Sequence, residues 1–95
     1  MMLDNNQLEQ FHEDGFLFLP DCFSRTESST LLGEASKVYA MDRTEVVREK
    51  SGAARTAFAA HTYNEGFRLL GAHPRLIKPV MQLLGEEVYM HQYKV

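Results

Sequence analysis

The stretch Glu86-Glu87-Val88-Tyr89-Met90-His91-Gln92-Tyr93-Lys94-Val95 decides how the rest of this 95-residue chain is read. It is rich in β-branched and aromatic residues, holds no Gly or Pro, and follows Gly85, so it predicts a strand. Side chains alternate along a strand. One face then carries Val88, Met90, Gln92 and Lys94, and the other Glu87, Tyr89, His91, Tyr93 and Val95. The first face begins apolar and finishes in an amide and an ammonium, the pattern of a strand that enters a core and ends at the mouth of a polar pocket. Such a strand needs neighbours on both sides, and the sequence shows no further strand after Val95 to pair with it.

Outward from that stretch, His73-Pro74 opens a helix that runs to Leu84, with Pro at its first position. Pro79 inside it removes one backbone bond, so the helix kinks there or two short helices abut. Asn64 to Leu70 reads as a short helix. Glu45–Glu49 and Ala53–Ala60 form a candidate hairpin around Lys50-Ser51-Gly52, with Ala53, Arg55, Ala57 and Ala59 on one face. Ser24, with Glu27 as its capping-box partner, starts a helix to about Met41 whose apolar positions are Leu31, Leu32, Ala35, Val38 and Tyr39. Phe16-Leu17-Phe18-Leu19, closed by Pro20, predicts a strand buried on both faces. Asp4 to Asp14 is a first helix capped by Asp4 and Gln7 and ended by Gly15. The order is mixed α and β, an α+β class rather than a doubly wound sheet or a bundle.

Composition sets bounds. Apolar residues make up 44% and charged residues 24%, with a net charge of −3 and the signs interspersed. That leaves no electrostatic footprint for nucleic acid or an anionic membrane. No apolar run approaches the ~20 residues a membrane helix needs, and the N-terminus lacks the pattern of a signal peptide. The lone Cys22 has no internal partner, so a reducing, cytoplasmic setting is expected.

Among chemistry-bearing residues, His12-Glu13-Asp14 is a literal His-x-Asp. Two His and one carboxylate bind one face of a non-haem iron, and His-x-Asp supplies two of these from extended chain. On a helix, positions two apart diverge by roughly 200°, so solvated helix-end residues are the reading here. His61 and His73 have no carboxylate at ligand spacing, and alternation turns His91 toward covering helices. Arg55, among small alanines, has room to grip a carboxylate in a bidentate pair or else lies in solvent. Cys22 has no base aimed at it, and no phosphate loop or Gly-x-Ser-x-Gly is present.

Three blocks together resemble a known family. They are Phe11-His-Glu-Asp-Gly15-Phe-Leu-Phe-Leu-Pro20 with its Ser-capped helix, Glu49-Lys-Ser-Gly52-Ala-Ala-Arg55-Thr-Ala-Phe58-Ala-Ala-His61, and His73-Pro74-Arg75-Leu76 through Gly85 to Val88-Tyr-Met-His-Gln92-Tyr-Lys94-Val95. In that order they resemble the opening of the phytanoyl-CoA dioxygenase family, the last block being especially like its ectoine hydroxylase branch. The resemblance implies an Fe(II)- and 2-oxoglutarate-dependent oxygenase on a double-stranded β-helix (jelly-roll) barrel, hydroxylating a small molecule. It implies that Gln92 and Lys94 face the co-substrate, that Gln92 also faces the substrate, and that Arg55 and His61 lie in segments approaching the substrate side.

In the family pattern the iron-binding His-x-Asp, the second His and the 2-oxoglutarate-binding Arg come after the position of Val95, while His12-Glu13-Asp14 aligns with an N-terminal helix. Residues 1–95 are therefore expected to be a single partial domain, the covering helices and first strands of an incomplete barrel. No metal ligand or catalytic residue is assigned in it. Neither iron nor 2-oxoglutarate is expected to bind this chain tightly by itself. The rival reading is a non-enzymatic protein whose 88–95 edge pairs with another chain, either one that completes the barrel or a second copy.

Overall fold

The computed structural model describes residues 2–95. Among the described residues two α-helices precede and two follow one antiparallel hairpin, so the α+β expectation holds. Helix α1 spans Asn5–Asp14, and its Asp4/Gln7 capping box forms as the sequence predicts. Helix α2 spans Arg25–Tyr39 behind the Ser24/Glu27 box. Strands β1 (Val46–Arg48) and β2 (Ala54–Ala57) make the hairpin. A 3-10 turn, Ala60–Thr62, leads into α3 (Glu65–Gly71), capped by the Asn64 side chain. Helix α4 is one helix over Pro74–Leu84 with the buried Pro79 inside it, so two short helices do not abut there. Gly15 and Gly85 end α1 and α4 in the left-handed region, φ 82° and 76°, where a Cβ is disfavoured.

The core is small. Val38, Val46, Ala57, Ala60 and Phe67 are buried together, with Leu31, Ala35, Tyr39, Leu70, Tyr93 and Val95 packed against them. Helix α2 thus faces the hairpin with Leu31, Ala35, Val38 and Tyr39, while Leu32, read from sequence as part of that face, is 71% exposed. It lies ~100° around the axis from Leu31 and misses the narrow sheet. The molecule measures 47 × 27 × 22 Å, a shape with little interior for its length.

Two polar ties join distant segments. Gln82 on α4 holds Leu3 like a strand neighbour, accepting from its N–H at 2.8 Å and donating to its carbonyl at 2.9 Å. Arg75, in the first turn of α4, grips the Glu27 carboxylate with both guanidinium nitrogens and donates to the Cys22 carbonyl at 2.8 Å. The Arg75 guanidinium beside Glu27 holds that carboxyl down at about 2.

Two predicted strands are corrected. Phe16–Leu19 forms no ladder, and Phe16 and Phe18 are 63% and 76% exposed. No strand stands beside it among the described residues, and an extended run without a partner has no sheet to bury it. The 86–95 strand forms only at its end. Residues 86–92 have no ladder, and Tyr89 and His91 are exposed rather than packed under helices. No helix among the described residues is long and apolar enough to cross a membrane.

Candidate functional site

The hairpin's outer edge is where the final residues dock. Val95 and Ala57 exchange both backbone hydrogen bonds at 2.9 Å, and Ala59 N–H donates to the Tyr93 carbonyl at 2.8 Å. Lys94 sits opposite Phe58 as an antiparallel bridge. The Thr56 hydroxyl also donates to the Val95 carbonyl, at 3.2 Å. Tyr93–Val95 therefore runs extended and antiparallel along Ala57–Ala59, joined to the end of β2 by an isolated bridge. Alternation follows. Tyr93 and Val95 pack on the core, while Gln92 and Lys94 are exposed.

Tyr93 is the residue that fixes this arrangement. Its hydroxyl donates to the Phe67 carbonyl at 2.7 Å. Its ring stacks on His61, centroids 4.6 Å apart and planes at 20°, and meets the Phe67 ring edge-on. Burial pushes its phenol pKa up. Gly71 makes the approach possible, since a Cβ there would stand 2.8 Å from Tyr93 Cε2. Strand alternation alone puts Tyr93 on the helix-facing side and assigns it no role. The signal was available in a Gly between two helices and a Tyr in the strand that must cross them.

Gln92 and Lys94 line one cleft of about 420 Å³, walled by Phe67, Leu70, Ile77, Val80 and Met90. A second cleft of about 730 Å³ adjoins it between α4 and residues 86–91. Among the described residues the Lys94 ammonium has no carboxylate partner; it lies 5.6 Å from the Phe58 ring centroid. An amide and an unpaired ammonium beside an apolar wall suit a ligand bearing a carboxylate.

The other two singled-out residues lie elsewhere. His61 stands behind Tyr93, not on the cleft, and its Nδ1 is buried with no hydrogen-bond partner among the described residues. Arg55 is exposed and faces Glu49 at 3.9 Å. It is the extra residue of a β-bulge, since Thr56 pairs with Val47 and Ala54 with Arg48. The bulge breaks the alternation that put Arg55 on one face with Ala57, which is fully buried. Gln92 and Lys94 are thus brought together, and Arg55 and His61 are not brought to them.

His12 and Asp14 both lie in α1, where their side chains diverge. Among the described residues no group of three His, Cys, Asp or Glu side chains could hold a metal ion. The chain's own donors do not fit a three-ligand iron site.

No family model matches the chain. It is 35% identical over 95 residues to the ectoine dioxygenase of Bordetella bronchiseptica, covering 95% of this chain and 31% of that enzyme. It is 33% identical over 94 residues to the ectoine dioxygenase of Halomonas elongata, covering 94% of this chain and 28% of that one. A crystal structure of EctD from S. alaskensis with 2-oxoglutarate and 5-hydroxyectoine superposes with a TM-score of 0.85 at 31% identity, covering 97% of this chain and 34% of that chain. The chain spans about a third of the length of the curated relatives it matches. Along nearly its whole length, then, this chain is similar to about one third of an ectoine dioxygenase, the resemblance that its three sequence blocks carry.

Proposed function

We propose that this chain is the covering-helix and first-strand portion of an Fe(II)- and 2-oxoglutarate-dependent dioxygenase of the jelly-roll class, one that hydroxylates a small molecule such as ectoine. The observation that carries the reading is the similarity to ectoine dioxygenases across the chain, together with a final strand that holds Gln92 and Lys94 on one cleft. Lys94 meets a carboxylate of the co-substrate as a point charge, and the Gln92 amide orients co-substrate and substrate by hydrogen bonds. Arg55 and His61 belong to the substrate side of the complete enzyme and act there only once further chain lies against them. Residues outside this segment would hold the iron, which would supply the oxygen chemistry; this chain contributes binding and orientation.

The 95-residue chain alone neither binds iron tightly nor consumes 2-oxoglutarate. Titrating it with Fe(II) and following 2-oxoglutarate decay tests this, and a tight one-to-one site with turnover would sink it. A chimera tests the positive half. This chain replaces the matching third of the Halomonas elongata enzyme, and 2-oxoglutarate consumption is measured. The chimera should be active, Gln92→Ala and Lys94→Ala should raise KM for 2-oxoglutarate, and Lys78→Ala should change nothing. Equal KM values in all three variants would remove Gln92 and Lys94 from the site.

A further inference from the structure

Gln92 and Lys94 line the cleft, yet neither side chain is held there by a hydrogen bond of its own among the described residues. Both residues are exposed, and the Lys94 ammonium rests 5.6 Å from the Phe58 ring centroid. A flexible amide and a long lysine stem do not fix their own distance to a ligand; a neighbouring group must do so. The residue between them is held firmly. Tyr93 donates its phenol hydrogen to the Phe67 carbonyl at 2.7 Å, stacks on His61 with ring centroids 4.6 Å apart, and meets the Phe67 ring edge-on.

Helix α3 is the reference for that hold. Phe67 offers both its ring and its carbonyl, and Gly71, on the same helix, leaves the space in which the tyrosine ring sits: a Cβ there would stand 2.8 Å from Cε2. The same helix walls the cleft with Phe67 and Leu70. Anchor and wall are one element. The depth at which Tyr93 seats on α3 therefore sets how far Gln92 and Lys94 stand from the wall, because successive residues of an extended chain keep fixed positions relative to one another. In the other direction the chain is held by the bond from the Ala59 N–H to the Tyr93 carbonyl at 2.8 Å. A displacement of about 1 Å in a group that grips a ligand weakens binding and catalysis severely.

We propose that Tyr93 is a positioning residue for the co-substrate: seated on α3 by its phenol and by the space Gly71 leaves, it sets the reach of Gln92 and Lys94 into the cleft and acts through them. The inference rests on the co-substrate role proposed above for Gln92 and Lys94.

The chimera with the Halomonas elongata enzyme tests this through kcat and the KM for 2-oxoglutarate. Tyr93→Phe keeps the ring and removes the phenol bond, and should raise KM about fivefold with kcat unchanged. Gly71→Ala pushes the ring off its seat and should raise KM as well. Ser24→Ala removes the α2 cap far from the cleft; it destabilises the chain and should leave KM alone. With Gln92→Ala and Lys94→Ala both in place, Tyr93→Phe should change KM no further, because nothing is left to position. A KM unmoved by Tyr93→Phe but raised by Lys94→Ala overturns the proposal and leaves the co-substrate role standing. A KM unmoved by Gln92→Ala and Lys94→Ala removes that role and the proposal with it. An equal rise in Ser24→Ala, or a further rise in the doubly substituted background, marks a general loss of stability and also overturns it. For a chimera without activity, backbone 15N order at Gln92 and Lys94 in the 95-residue chain decides. Order that falls in Tyr93→Phe and Gly71→Ala but not in Ser24→Ala supports the proposal, and unchanged order overturns it.

Discussion

Two stretches of this chain look alike as sequence and end differently. Phe16-Leu17-Phe18-Leu19 is the more apolar, yet it forms no ladder and exposes both phenylalanines. Tyr93-Lys94-Val95 carries a lysine, yet it is hydrogen-bonded to β2 and holds a tyrosine against the core. Composition therefore did not decide which became strand. A strand needs an edge to pair with, and only the second stretch reaches one. Its hold is also specific: a hydroxyl on a carbonyl, a ring on a ring, and a glycine that leaves room.

The severest way to break the contrast is Tyr93→Ala. It removes the ring, the hydrogen bond and the cover over Phe67, and should cost about 3 kcal/mol in urea unfolding. Hydrogen exchange at the Ala57 and Ala59 amides should accelerate with it, since they bond to residues 95 and 93. If those amides stay protected, the ladder holds without the clamp.

Gly71→Ala should cost about 1–2 kcal/mol, because the new methyl meets Tyr93 at 2.8 Å with helix backbone behind it. An unchanged urea midpoint would mean that Tyr93 shifts freely. Tyr93→Phe isolates the hydroxyl and should lose about 1 kcal/mol.

Smaller still is the tether at the far end of the 16–20 run, where Arg75 holds the Cys22 carbonyl and Glu27. Both charged partners are partly open to water, so solvent screens them. The Arg75 guanidinium, followed by the Ser24 backbone N–H, lowers the Glu27 carboxyl from 4.5 to about 2. A carboxyl lowered in the folded state adds stability above its unfolded pKa. That stability is lost as pH falls from about 4.5 toward about 2. Glu27→Gln should flatten the urea midpoint across this range, and an unaltered slope would show that the tether carries no weight. The smallest effect belongs to Phe18→Ser, expected to lie within about 0.5 kcal/mol because an exposed ring has little burial to lose.

Much of the local structure was legible in the sequence. Asp4 with Gln7, and Ser24 with Glu27, announced two helix starts, and Gly15 and Gly85 two helix ends, because capping is chemistry between residues three or four apart. The pairing of Gln92 with Lys94 on one side of the final strand was also readable, since alternation is a property of extended backbone itself. Arg55 was not readable in this way. One extra residue in β2 turned it off the face its spacing implied, and a bulge depends on how two strands meet.

The sequence by itself determined the helices, their caps, the turn between the strands and the likeness to ectoine dioxygenases, because each rests on neighbours along the chain or on ordered blocks within it. Only the tertiary structure decided which apolar run became strand, that Tyr93 rather than His91 turned inward under α3, and that Arg75 reached Glu27 across 48 residues. These depend on surfaces brought together from distant parts of the chain, and no local spacing records where such surfaces meet.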